Sequence, residues 1–233
     1  MSTVKRIVCL AKSRKHKEYC FAGKELSSTG NAGKWIRPVS IRQHEEVSEY
    51  ESQYEDKSNP CVLDIIHVPL LTPRPKGYQQ ENWLLDPESY WEKTALADWS
   101  TLRRLADPVE LLWINDHNTY HGLNDKIPLV LAKTLESSLC LIRVDRITLS
   151  VFKPSEAFGD QRKRVQARFR HKGIEYRLWV TDSKYEQMYV DKPNGDYEIG
   201  ESFLTVSLGE PYQNTSCYKL VAAIIEKGAE VRA

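Results

Sequence analysis

The chain lacks the short motifs that would fix a chemistry at once. Its 233 residues hold no CxxC pair, and the five cysteines, at positions 9, 20, 61, 140 and 217, are odd in number and widely spaced. That pattern argues against a zinc ribbon and suits small buried hydrophobes in a reducing compartment. There is no P-loop, no dinucleotide-binding glycine fingerprint, no Ser/His/Asp order and no paired-carboxylate signature, so the sequence gives no cofactor and no metal to expect. No apolar run reaches 18 residues, and the start Met-Ser-Thr-Val-Lys-Arg has no apolar core region. A cytoplasmic protein without membrane contact is therefore expected. A formal net charge of only +1 excludes histone-like, wholly unspecific polyanion binding. Short internal repeats and low-complexity tracts are absent too.

What the chain does have is segregated charge. Between Lys5 and Arg42 lie ten basic residues opposed only by Glu18 and Glu25, a local charge of +8. The run ends in Gly33-Lys34-Trp35-Ile36-Arg37-Pro38-Val39-Ser40, where alternation along a strand puts Trp35 and Arg37 on one face. A flat aromatic beside a guanidinium in a positive field suits a phosphate-bearing ligand. The first candidate group is thus Lys12, Arg14, Lys15, Lys17, Tyr19, Lys34, Trp35 and Arg37. The competing interpretation makes Trp35 core and pairs Arg37 with a carboxylate of the acidic stretch that follows, Glu45 to Asp56.

A second basic cluster contains Arg162, Lys163, Arg164, Arg168, Arg170, Lys172 and Arg177, against only Asp160 and Glu175. Phe169, Tyr176 and Trp179 are interleaved with it. Alternation sends Phe169 inward and Arg168 and Arg170 outward. The candidate ligand contacts here are Arg162, Lys163, Arg164, Arg168 and Arg170, with Tyr176 as a stacking surface. His117 and His121 have the i, i+4 spacing of a helical metal pair, but they precede Gly122 in a helix-poor segment and read as a solvated loop.

The chain reads as mainly β (α+β). The segments Val4–Ala11, Glu18–Leu26, Lys34–Ser40 and Cys61–Leu71 are β-rich, with the turn signal Ser27–Gly33 between two of them. Asp86-Pro87-Glu88 predicts a helix start, continued by Tyr90, Trp91, Ala95, Leu96, Trp99, Leu102 and Leu105 at helical spacing. Asp107-Pro108 predicts another helical turn through Trp113. Leu139–Phe152 is a strand long enough to bend, followed by a hairpin over 162–181, a helix capped by Asp182, and strands at Phe203–Leu208 and Tyr218–Ile225. Three strands, a short helix and two strands are the element order of an OB barrel. The expected layout is two small OB-like β-barrels, residues 1–85 and 128–233, joined by a helical, Trp-rich connector over 86–127. A PUA-like barrel is the alternative.

The N-terminal pattern Cys9-Leu10-Ala11-Lys12-Ser13-Arg14-Lys15, Cys20-Phe21-Ala22-Gly23-Lys24 and Gly33 to Ser40 resembles the bacterial dual OB-containing domain family. So does the C-terminal Ser207-Leu208-Gly209-Glu210-Pro211-Tyr212 with Tyr218 to Ile225. The resemblance implies two OB-like domains and a nucleic-acid or nucleotide ligand; it brings no catalytic residues. The reading is a non-catalytic binder of single-stranded RNA or DNA, or of a nucleotide-like ligand. Its rivals are a nucleotide or nucleic-acid hydrolase in a defence or mobile-element setting, and an adaptor offering Trp83, Trp91, Trp99 and Trp113 to a protein partner.

Overall fold

A computed structural model describes residues 2–15, 18–27 and 29–228. The chain is mainly β and divides into two compact units, Met1–Ala106 with Glu136–Ser138, and Asp107–Leu135 with Leu139–Ala233. The segment 86–127 is thereby shared, its first part belonging to one unit and its second to the other.

The first unit contains β1 (Thr3–Lys15), β2 (Glu18–Leu26), β3 (Ala32–Val39), α1 (Glu49–Ser52), β4 (Asp64–Pro73), β5 (Asn82–Leu85), β6 (Glu92–Leu96) and α2 (Trp99–Leu105). The strands pair in the order β1–β2–β3–β5–β4, with β3 and β5 parallel, and β4 returns to β1. The sheet therefore closes on itself. β1 makes this possible by serving two neighbours: Thr3–Val8 pair with β4, while Ile7–Lys15 pair with β2. A bulge between Cys9 and Ala11 turns the strand between these tasks. Gly23 lies against that bend, where a Cβ would stand 2.2 Å from the Val8 carbonyl oxygen, so no side chain fits. The interior holds Ile7, Phe21, Ile36, Ile66, Val68 and Trp91.

The predicted helix from Asp86 is not formed. Asp86 instead caps a turn, accepting from the Glu88 amide and the Ser89 hydroxyl, and residues 92–96 pair with β4 over Asp64–His67. That stretch of β4 presents backbone groups that need partners, a demand local periodicity does not contain. Only the last part of the pattern is helical, where Asp98 caps α2 through the Thr101 amide at 2.7 Å. Residues 107–113 are irregular chain and bends, not the expected helical turn.

The second unit contains β7 (Lys126–Pro128), α3 (Leu129–Ala132), β8 (Leu139–Val144), β9 (Ile147–Phe152), β10 (Arg164–His171), β11 (Ile174–Val180), α4 (Ser183–Val190), β12 (Gly195–Ile199), β13 (Ser202–Leu208) and β14 (Ser216–Glu226). β8 and β9 are two halves of one strand, broken at Asp145-Arg146. The pairing order β9–β10–β11–β14–β13–β8, with β11 and β14 parallel, returns to that same strand. This is the connectivity of the first unit. β12 adds to the outside of β9, and β7 to β14. Asp182 caps α4 through the amides of Lys184 and Tyr185 and also accepts from the Ile224 amide, joining helix to sheet.

Candidate functional site

In the first unit, Trp35 and Lys24 are register partners on the outer face of the β2–β3 pair. The Lys24 amine lies 5.4 Å from the Trp35 ring centre and donates to the Leu105 carbonyl at the end of α2, 2.7 Å away. Trp35 is 7% exposed and Arg37 5%. Arg37 Nη2 stands 3.3 Å from Glu81 Oε1 and donates to Ser138 Oγ at 2.9 Å, and the Ser138 hydroxyl in turn donates to Glu81. Trp35 and Arg37 are therefore not the open stacking pair the alternation suggests. The carboxylate that takes Arg37 comes from beside β5, not from the acidic stretch after β3.

The rest of the first group disperses. The Lys12 amine covers the Tyr19 ring at 4.7 Å. Tyr19 is half-buried, and its hydroxyl donates to Glu49 at 3.2 Å; burial first, then that bond, raises its pKa. Arg14 and Lys34 are exposed. Lys17 and the side chain of Lys15 lie outside the described residues.

In the second unit the outer face is open. Alternation along β9, β10 and β11 sends Leu149, Val151, Val165, Ala167, Phe169, Tyr176 and Leu178 into the core. Arg168 and Arg170 of β10 and Arg177 of β11 are exposed, and Arg168 and Arg177 are register partners. An open depression of about 480 Å³ is lined by Ser150, Phe152, Gln166, Arg168, Arg177 and Asp196. A second, of about 280 Å³, continues past Arg168 to Arg146, Thr148, Arg170 and Glu175. Arg168 Nη2 lies 3.7 Å from Asp196 and Arg177 Nε 3.2 Å from Glu175. Arg170 has no carboxylate within 4 Å among the described residues.

The Arg164 guanidinium stacks 4.1 Å from the Trp179 ring centre. Arg162 is held by Asp160 at 2.7 Å, an interaction that lowers the Asp160 carboxyl to about 2. Lys163 donates to the Lys192 carbonyl. Tyr176 offers no stacking surface. It is fully buried against Phe169, and its hydroxyl accepts from the Leu112 amide and the Asn115 side chain. Its position in β11 points it inward, while its neighbours Arg177 and Trp179 point outward. Arg177 and Trp179 belong to the second basic cluster read from the sequence, but its candidate ligand contacts include Tyr176 in their place, against that alternation. His121 packs its ring 5.5 Å from Phe152 and its Nε2 bonds the Pro154 carbonyl oxygen. Among the described residues no three His, Cys, Asp or Glu side chains form a group able to hold a metal ion.

Two closed sheets of one connectivity, one with an arginine-lined outer face, make this a mainly β protein with a duplicated strand order. The chain belongs to the dual OB-containing domain family, which matches residues 5–224. No curated protein and no solved structure gives a significant match. Among the described residues, no helix is long and apolar enough to cross a membrane.

Proposed function

We propose that each closed sheet is an OB barrel and that the protein binds nucleic acid without catalysis, on the outer face of β9, β10 and β11. The observation that carries this reading is the Arg168–Arg177 pair. Two guanidiniums directly opposite on neighbouring strands repel each other, and a phosphate between them would relieve that repulsion with charge-assisted, two-pronged hydrogen bonds. Of their present partners Asp196 is exposed and Glu175 half-buried, and both arginines are exposed, so these ion pairs are worth only ~0–1 kcal/mol each and yield readily to a phosphate. The same face of an OB barrel is where oligonucleotides are read.

The first unit supports this reading less, because α2 covers the corresponding face over Lys24 and Trp35. The adaptor alternative needs exposed tryptophans, yet Trp91 is buried and Trp83, Trp99 and Trp113 are half-buried. Five free cysteines fit a cytoplasmic setting. The test is fluorescence anisotropy of a labelled oligonucleotide with the full chain and with Arg168→Ala/Arg177→Ala. Loss of most affinity in the double variant is expected; unchanged affinity contradicts the proposal.

A further inference from the structure

The arginine face is completed by a segment that is no part of the closed sheet. Residues Asp116–Asp125 form a strap along the part of β11 that β14 leaves unpaired. Leu123 exchanges both backbone hydrogen bonds with Arg177, at 3.2 and 3.1 Å, and Asn124 Nδ2 donates to the Glu175 carbonyl. The strap is also bonded to itself. Asn124 Oδ1 accepts from the Asp116 amide, Asn118 Oδ1 from the Asn124 amide, and the Asp125 carboxylate from both the amide and the hydroxyl of Thr119. At Gly122 a Cβ would stand 1.9 Å from Asp125 Oδ2, so the tight turn excludes any side chain. Below the strap, the buried Lys219 amine donates to the Ile114 carbonyl and to Asn115 Oδ1.

This backbone brings two rings beside Phe152 and Gln166, which line the depression. His121 lies edge-on to Trp179 at 6.2 Å and 5.5 Å from Phe152, and its carbonyl accepts from Gln166, the neighbour of Arg168 on the outer side of β10. Tyr120 packs edge-to-face on His121 at 4.8 Å and is itself 95% exposed. A tyrosine held this far into solvent by a hydrogen-bonded turn keeps, among the described residues, no ring contact besides the one to His121.

Building on the phosphate reading above, we infer that the strap is a base-stacking platform. Tyr120, backed by His121, Phe152 and Trp179, takes the unpaired base of a strand whose phosphates lie on Arg168 and Arg177. The ligand class is then single-stranded nucleic acid, because bases stacked within a duplex cannot reach a platform at the edge of the phosphate track.

The test compares anisotropy of labelled oligothymidylate, a length-matched abasic strand and a blunt duplex, using the full chain. Oligothymidylate is expected to bind best, and Tyr120→Ala to weaken it about tenfold, the size of one stacked base, without changing the abasic strand. Since Tyr120 is 95% exposed and, among the described residues, its ring packs on its neighbour His121 alone, this variant keeps the fold. Equal binding of oligothymidylate and abasic strand, both lost in Arg168→Ala/Arg177→Ala, overturns the platform and leaves the phosphate reading standing. Absence of binding by any strand overturns both.

Discussion

Arg168 and Arg177 stand directly opposite each other in β10 and β11, two like charges in register on an exposed face. Such an arrangement costs a sheet a few tenths of a kcal/mol or more. Replacing Arg168 by Thr removes the repulsion along with one exposed ion pair to Asp196. Stability in urea should stay within about 0.5 kcal/mol of the parent, the range of surface changes. A loss above ~2 kcal/mol would give Arg168 a structural role instead.

Arg37 should behave in the opposite way. Its guanidinium is buried with Glu81 and Ser138, so Arg37→Ala leaves a buried carboxylate without its countercharge. Such truncations cost ~3–5 kcal/mol. Urea unfolding measures the loss, and oligonucleotide affinity of the folded fraction should not change. A weakened affinity with unchanged stability would restore Arg37 to a binding site.

The contrast between these arginines shows how far the sequence carries. In the second unit the readable features are local: the alternation in 164–180, the Asp182 cap, and a strand over 139–152 long enough to bend. They suffice to place Arg168 and Arg170 outward. In the first unit, Trp35 and Arg37 obey the same alternation, yet their surroundings come from Glu81, Leu105 and Ser138, 44 to 101 residues away. Alternation tells which side a residue faces, not whether a later element covers that side. Residues 92–96 have helical spacing but pair with β4, again a long-range demand. The strap at 116–125 reads as plain loop because its order comes from side-chain bonds to its own backbone.

Lys219 gives a pH signature. Burial lowers its pKa from the usual 10.5 to about 7, partly offset by Asp125 and Asp116. In the unfolded chain the amine keeps its proton up to about pH 10. Between these values the unfolded state binds more protons, so stability from this group rises with pH, by up to about 1.4 kcal/mol per pH unit. The difference in unfolding free energy between the parent and Lys219→Met should be flat below about pH 6 and shift in favour of the parent toward about pH 9. A difference that stays constant across this range would show that the amine titrates normally.

The cysteines should separate by reactivity. Burial pushes the Cys9 thiol up to about 12, and Cys140 and Cys217 are buried as well, whereas Cys61 is exposed. A brief treatment of the native protein with iodoacetamide should modify Cys61 first, as mass spectrometry of the peptides would show, with all five thiols reacting only after denaturation. Early modification of Cys9 would contradict the packing of β1.

The central claim is that phosphates of a single strand lie on the arginine face of the second unit. Its most direct test is the slope of log affinity against log salt for oligothymidylate, measured on the parent chain and on Arg168→Ala/Arg170→Ala/Arg177→Ala. Each phosphate contact on a single strand contributes about 0.7 to that slope. Removing three should flatten it by about 2 and weaken binding most at low salt. An identical slope in both proteins would place the phosphates elsewhere and contradict the account.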